Sequence, residues 1–327
     1  ALVNLVYNSF DVVNFYYLQW IIMSLTLLFL FLILKKTDKQ LYWVLIPISA
    51  FIYCPIYNTG YFIFSSIMWL MVTLCIVLIV FLLNKEKITN SIFLSSISIA
   101  VFSTFLNLIG TMAWLAGFIC LLKRDSKRKI IKKKYLVIWI ISTVISGCVF
   151  ISLVTSLEVI QFDKELYLKE FFSVEGISFV ITYLATSYRF GTENIFFSKI
   201  IGIITLILSG YFFYYFIIIK KNVQESYPWL GLILLSIISG IVIAIGRLEG
   251  HDGNESFYKA VSQFSQIGIL VLVSMLMLEI KKNRSKKFTN IKLCFCIVII
   301  ASQIELYPGL LEVIFLFIRE IFVSSKP

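Results

Sequence analysis

Long, uninterrupted apolar runs constrain the fold of this chain more than any other feature. Several runs reach about 20 residues, the length that a helix needs to cross a hydrocarbon core about 30 Å thick. The runs are continuous and do not alternate, which indicates helices and not a membrane β-barrel. Hydrophobic residues make up 60% of the 327 residues and charged residues only 14%, a balance that excludes an ordinary soluble domain. The sequence therefore predicts an all-α fold, a polytopic transmembrane bundle of about 8–10 spans that forms one domain over residues 1–327.

Basic residues cluster in short loops between the apolar runs, and acidic residues prevail in the other loops. The clusters are Lys35, Lys36 and Lys39; Lys85 and Lys87; residues 123–134; Lys220 and Lys221; and residues 281–287 with Lys292. Loops rich in Lys and Arg stay on the cytoplasmic side, so 123–134 is predicted to be a basic cytoplasmic loop and the N-terminus of the chain to lie outside. The net charge of +11 is then explained by the basic loops that orient the chain in the cytoplasmic membrane of a cell. The predicted partner is the lipid bilayer and not a nucleic acid.

Most apolar runs alternate across the membrane once the basic loops are placed inside. The predicted spans lie near residues 15–34, 41–57, 61–83, 135–154, 195–219, 228–246, 262–280 and 290–307. Residues 91–122 do not fit, because they lie between two basic loops; with Asn107 and Gly110 near their middle, they are predicted to enter and return as a broken hairpin. Residues 176–190 are predicted to be re-entrant or interfacial, within an outer loop over 155–194 that begins with an amphipathic segment.

The two ends of the chain add two expectations about topology. The sequence begins with Ala1, which fits a removed leader or, better, a further crossing upstream of this residue. Residues 310–323 follow a Pro-Gly pair and carry charges of both signs, and the pattern leaves open whether they cross.

The segment 246–266 combines charges and glycines between two long apolar runs. It carries Arg247 where one run ends and Lys259 where the next begins, both on the side that is otherwise poor in basic residues. Arginine and lysine at this depth are suited to a phosphate group, although an interfacial arginine can also serve only to anchor a helix. Arg189, beside Gly191 at the end of the 176–190 segment, is the third predicted phosphate contact.

Acidic residues near the same side are candidate catalytic bases. Asp11 precedes the first span, and Glu249 and Asp252 lie in the segment 246–266 next to the only histidine, His251. A carboxylate there could take a proton from an acceptor hydroxyl, while helix capping is an alternative role for Asp11. No metal site and no cofactor are predicted, because the cysteines lie in apolar runs and no nucleotide-binding motif is present.

Three short motifs resemble those of an uncharacterised family of multi-pass bacterial and archaeal membrane proteins, whose layout is similar to that of C-type membrane glycosyltransferases. The motifs are Pro55 with Trp69; Phe102 and Ser103 with Asn107, Gly110 and Trp114; and Ala244, Gly246 and Arg247 with Phe264 and Ser265. The resemblance covers roughly residues 45–275. The chain departs from the family at Lys259 and Ala260, where the family has Arg-Tyr. The N-terminal crossing and outer loop, where such glycosyltransferases usually keep a catalytic acid, are also not expected within residues 1–327.

What the resemblance implies is an outward-facing cavity that binds a lipid-linked sugar, with Arg247 as a phosphate contact. The leading hypothesis is therefore a glycosyltransferase-like enzyme that uses a polyprenyl-phosphate sugar at the outer face of the membrane. A flippase or transporter of a lipid-linked or amphipathic substrate is the second hypothesis, because broken helices often build substrate sites. A non-catalytic subunit of a membrane complex is the third.

Overall fold

A computed structural model describes residues 12–53, 63–85, 87–122, 133–156, 173–186, 195–220, 225–247 and 258–283. Within these ranges the chain is almost entirely helical and contains no strand, which confirms the predicted all-α class. Five of the described helices are long and apolar enough to cross a membrane, as expected of an integral membrane protein. Their apolar parts are Asn14–Thr37, Lys134–Leu153, Ser198–Ile219, Tyr227–Ile245 and Lys259–Glu279.

The first helix, α1, spans Val12–Thr37, and the chain then returns along it in two shorter pieces. These are a 3₁₀ helix, Lys39–Val44, and α2, Leu45–Ile52, in place of the single span predicted near 41–57. Pro47 explains the division, because proline has no N–H for an α-helical bond to the carbonyl of Trp43 and is tolerated only in a first helical turn. The ring of Tyr53 stacks on that of Trp20 at 5.2 Å, so the chain has come back to the N-terminal half of α1.

The next helix, α3, spans Ile63–Leu83 and runs parallel to α1. The rings of Phe29 and Phe81 lie 5.3 Å apart, and the Lys36 ammonium donates a hydrogen bond to the Asn84 carbonyl. The C-terminal ends of the two helices therefore lie side by side, as the predicted topology requires.

Residues 90–122 form the predicted broken hairpin. Its parts are α4, Asn90–Leu106; a 3₁₀ turn, Leu108–Thr111; and α5, Met112–Leu122. Trp114 donates a hydrogen bond from Nε1 to Thr104 Oγ1 at 2.9 Å. In a straight helix the backbones of two residues that are ten positions apart would be separated by about 15 Å. The break falls at Asn107, whose backbone is extended at φ −163° and ψ 154°. A Cβ on Gly110 would lie 1.7 Å from the Ser103 carbonyl oxygen, so only glycine fits where the two arms meet.

Helix α6, Lys133–Ser156, packs on the hairpin through its first turns and exposes most of its length. Trp139 donates a hydrogen bond from Nε1 to the Trp114 carbonyl at 2.9 Å, and Gly117 leaves room for its ring. The Tyr135 hydroxyl contacts Asn90 Oδ1 at 2.6 Å. The start of α6 therefore lies beside the start of α4.

The second half of the chain contributes four more helices. They are α7, Val174–Ala185; α8, Ile195–Phe213, extended by a π-helical turn over Tyr214–Ile219; α9, Tyr227–Arg247; and α10, Lys259–Asn283. Helix α7 has 12 residues, about 18 Å, so it is too short to cross a membrane and agrees with the predicted re-entrant or interfacial segment. Ser173 caps it by accepting a hydrogen bond from the Gly176 N–H at 3.3 Å, and the same hydroxyl holds the pKa of the Glu175 carboxyl below its usual value.

The helix ends that adjoin the predicted basic clusters all lie on one side of the bundle, which is called here the basic side. Four contacts between helices show this grouping. They join Lys36 to Asn84, Tyr135 to Asn90, Thr37 to Trp229, and Lys220 to Glu279. The opposite side, where α3 and α7 begin and α9 ends, is called the far side. The helix ends that the sequence places next to basic clusters are therefore also grouped in space.

Candidate functional site

Helix α10 lies at the centre of the bundle. Of the described helices, it also carries the most buried polar side chains. Residues 258–272 are all buried. In the most apolar stretch of α10, 78% is buried inside the bundle, whereas the corresponding share for α6 is 11%. The buried stretch carries Lys259, Ser262, Gln263, Ser265 and Gln266. Polar and ionisable side chains in the interior of a membrane bundle usually mark a functional site.

The first turn of α10 lies at half the height of the bundle. Thr73 Oγ1 donates a hydrogen bond to the Ala260 carbonyl at 2.8 Å, and Ser236 Oγ donates one to the Ser262 carbonyl at 3.1 Å. Thr73 is the middle residue of α3, and Ser236 adjoins the middle residue of α9, both helices of 21 residues. A helix of this length is about 31 Å long, close to the thickness of a hydrocarbon core. Lys259, fully buried at 0% exposure, therefore lies near half the height of the bundle.

Arg247 lies at a different depth from Lys259. Helices α9 and α10 are antiparallel, since Ser236 contacts Ser262 and Gly268 packs on the Trp229 carbonyl. From that register, the backbone of Arg247 lies about 12 Å farther toward the far side than the backbone of Lys259. The backbones of the two basic residues that the sequence pairs thus lie at different levels along the bundle axis.

An aromatic cluster covers the start of α10. The Tyr258 ring lies 5.7 Å from that of Trp69 on α3, 5.8 Å from Phe179 and 5.9 Å from Tyr183 on α7. Tyr183 is seated against Gly240 of α9, where a Cβ would lie 2.6 Å from the ring. Helices α3 and α7 therefore close around Tyr258, the residue next to Lys259, and α9 packs on this cluster through Gly240.

Gln266 satisfies the end of α7 inside the bundle. Its Nε2 donates hydrogen bonds to the Leu184 carbonyl at 2.9 Å and to Thr205 Oγ1 at 3.1 Å. The last carbonyls of a helix have no partner within the helix, and a helix that ends in a buried place needs a donor from elsewhere. Helix α7 ends and α10 begins in the same buried region, so two helix ends meet at the polar site.

Gln263 lies one turn after Lys259 on the same helix. Its Nε2 donates a hydrogen bond to the Ala260 carbonyl at 3.0 Å, which draws the amide back to the level of the first turn. Its Oε1 is buried and has no hydrogen-bond partner among the residues that the structure describes. A buried acceptor therefore lies one helical turn along α10 from a buried lysine.

This arrangement is suited to an anion. The lysine ammonium binds phosphate as a point charge, and the N-terminal end of α10 adds the positive end of a helix dipole. Among the residues that the structure describes, no three His, Cys, Asp or Glu side chains come together as metal ligands.

Lys259 is the only predicted site residue whose side chain the structure describes. For Arg247 it describes the backbone at the end of α9, and Asp11, Arg189, Glu249 and Asp252 lie outside the described residues, as does His251. Thr73, Gln263 and Gln266 are the site residues that the sequence analysis missed. The signal for the two glutamines is the recurrence of Lys, Ser and Gln every three or four residues from Lys259 to Gln266, which places polar groups inside an apolar run.

Comparisons with protein-family models, curated proteins and solved structures found no match for this chain. The chemistry of the site therefore rests on its residues and on their geometry.

Proposed function

We propose that this protein is a membrane transporter or flippase that receives the anionic head group of an amphipathic or lipid-linked substrate at Lys259. The observation that carries the proposal is the position of this lysine, fully buried beside the carbonyl that the middle residue of α3 contacts. A charge at this depth costs about 2.5–3.5 kcal/mol on insertion scales. A residue that serves only to anchor a helix would lie at the membrane surface instead.

The helix ends support transport over a structural role. In many transporters the substrate site lies near the midplane, and helices that stop and start there point their N-termini at anionic groups. Here α7 ends and α10 begins within the buried region. Lys259 also supplies the ionisable group at half height that hydropathy alone does not reveal.

The orientation that we propose places the basic side in the cytoplasm, following the bias of Lys and Arg. Arg247 then lies nearer the outer surface and Lys259 deeper. An anionic head group that enters from outside would meet Arg247 first and Lys259 second, while its acyl chains remain in the bilayer. The two cations would act in succession on one head group.

The test is lipid translocation in proteoliposomes. The probe is phosphatidylglycerol labelled on an acyl chain with a fluorophore that dithionite quenches from outside. The wild-type chain should speed loss of the protected fluorescence, and Lys259→Met should lower that rate about tenfold or more, the loss of a charged contact of at least ~1.4 kcal/mol. Lys259→Arg should keep most of the activity.

Lys199→Met is the matched control, because Lys199 is a half-buried lysine near the start of α8 and outside the proposed site. It should translocate lipid at the wild-type rate. No protein-dependent translocation, or equal rates for Lys259→Met and the wild type, would overturn the transport proposal.

The glycosyltransferase hypothesis is the second candidate, and the place where α9 ends favours it. Arg247 terminates this helix on the far side, where an enzyme acting at the outer face would hold the phosphate, together with Lys259 and Arg189. A carboxylate from Asp11, Glu249 or Asp252 would take the proton of an acceptor hydroxyl. The acceptor oxygen would bond to the sugar carbon as the bond to phosphate breaks and polyprenyl phosphate leaves.

The two candidates differ in their products. An enzyme converts a polyprenyl-phosphate sugar and an acceptor into a covalently changed product, which mass spectrometry detects. A transporter returns the same lipid in the opposite leaflet. Sugar transfer by the purified chain would therefore favour the enzyme.

A further inference from the structure

The geometry points to Gln263 as the residue that selects an anionic head group carrying a hydroxyl next to its negative charge. This inference deepens the proposed function, since it rests on Lys259 as the anion site and names the chemical class of the ligand. It does not depend on whether the ligand is afterwards transported.

The position of the Gln263 amide is set by two helices. Gln263 follows Lys259 by four residues, so the two side chains leave the same face of α10. The Gln263 Nε2 hydrogen bond to the Ala260 carbonyl is 3.0 Å long. Thr73 of α3 donates to the same carbonyl at 2.8 Å. The amide is therefore held against the first turn of α10 and oriented by the bond that Nε2 makes.

The acceptor of this amide is left without a donor. Gln263 is 1% exposed, and within the described part of the chain its Oε1 has no hydrogen-bond partner. Buried side-chain acceptors are nearly always paired, and each exception calls for an explanation. Gln263 Oε1 is one of six buried side-chain nitrogen or oxygen atoms without a hydrogen-bond partner in the described part of the chain. Gln266, three residues farther along the helix, bonds Leu184 and Thr205 through its amide, so of these two glutamines the one nearer the buried lysine has the unpaired oxygen.

The chemistry of the missing partner follows from the neighbours. A carbonyl oxygen accepts an O–H or N–H donor and repels an anion, so the group that it binds is not the negative charge itself. An ammonium donor is disfavoured, because Lys259 is a cation on the preceding turn. A neutral O–H or N–H satisfies both conditions, and in a lipid head group that already carries the anion the simplest such donor is a hydroxyl. The ligand class is therefore an anionic lipid whose head group carries a hydroxyl within one helical turn, about 5 Å, of the charge.

The experiment measures lipid binding to the full-length chain by native mass spectrometry in a mild detergent. The two probes are phosphatidylglycerol and phosphatidylethanol with identical acyl chains, since both carry one negative charge and only the first has hydroxyls on its head group. The wild-type chain should bind phosphatidylglycerol about fivefold to tenfold more tightly, the effect of one neutral hydrogen bond. Gln263→Met should remove this preference by weakening phosphatidylglycerol alone. Lys259→Met should weaken both lipids.

Two additions keep the result interpretable. Gln263→Asn, which keeps an amide but withdraws it from the first turn, should lose the same preference, and a thermal unfolding curve for each variant should confirm that it folds. Glycerol 1-phosphate at millimolar concentration should not displace phosphatidylglycerol if the ligand is a lipid.

The outcomes separate this inference from the transport proposal. A wild-type chain without preference between the two lipids would overturn the inference, as would a preference that survives in folded Gln263→Met. Displacement by glycerol 1-phosphate would overturn the lipid as its source. A retained preference without any translocation in proteoliposomes would leave the selective site standing and remove the transporter.

Discussion

Lys259, Gln263 and Gln266 follow one another along a single helix, and each has a different relation to its surroundings. The lysine places an ionisable group in the middle of the bundle, where an interaction with a partner or a ligand is needed to offset the desolvation free energy of the charge. Gln266 has an internal task, because it supplies the donor that the end of α7 needs. Gln263 has a buried acceptor without a partner. At the scale of single residues, therefore, one glutamine stabilises the fold and the other is available to a ligand.

Gln266→Leu should destabilise the protein without changing lipid preference. The substitution leaves the Leu184 carbonyl and the Thr205 hydroxyl without their common donor, an effect of about 1–3 kcal/mol that should lower the melting temperature by several degrees. A thiol-reactive dye reports unfolding in a background in which the exposed Cys148 is replaced by serine, because Cys75 and Cys120 are buried. Ser274→Ala is the control, since Ser274 bonds only the Leu270 carbonyl of its own helix. A melting temperature for Gln266→Leu that is no lower than the control would contradict the capping role.

At the scale of elements, the hairpin of α4 and α5 depends on a break that is visible in the sequence and a contact that is not. Asn107 and Gly110 near the middle of a long apolar stretch predict an interruption. The close approach of Gly110 to Ser103 and the bond between Trp114 and Thr104 depend on the two arms folding together. A hydropathy pattern contains no information about such pairs.

Gly110→Ala should disrupt the hairpin. The added Cβ would lie 1.7 Å from the backbone oxygen of Ser103, and backbone atoms cannot yield as a flexible side chain can. We expect a loss of about 3 kcal/mol, the upper part of the usual range for overpacking, measured as a lower unfolding midpoint or a smaller folded fraction. Gly147→Ala in α6 is the matched control, because a Cβ there meets no atom within 4 Å and alanine favours a helix. Equal stability of the two variants would show that the arms do not approach as closely as described.

At the scale of the whole molecule, the bundle is organised by sidedness and by one buried axis. The helix ends next to the basic clusters meet on the basic side, and α10 runs through the centre with its polar turns buried. Helix α6, by contrast, exposes apolar side chains along most of its length, as a helix that faces lipid does. The outer surface is thus suited to a bilayer and the interior to a polar ligand.

Single-cysteine labelling in intact cells tests the sidedness. In a variant without native cysteines, Ser156→Cys at the far end of α6 should react with a membrane-impermeant maleimide applied from outside. Lys85→Cys on the basic side should react only after the cells are permeabilised, because loops rich in Lys and Arg stay in the cytoplasm. The reverse pattern would invert the proposed orientation and place the far side, with Arg247, in the cytoplasm.

The lengths of the apolar runs and the places of the charges were sufficient to determine the all-α class, most helix bounds, the broken hairpin and the grouping of basic ends. These properties are local, since a helix of given length and its flanking charges can be read along the chain. The depth of Lys259 could not be read in this way, because a residue at the edge of an apolar run is expected at the membrane surface. Only the register of α10 against α3 and α9, set by Thr73 with Ala260 and by Ser236 with Ser262, decided that this edge lies at half height. Contacts between residues far apart in sequence fix that register, so the tertiary structure alone turned a loop-edge lysine into the centre of a candidate binding site.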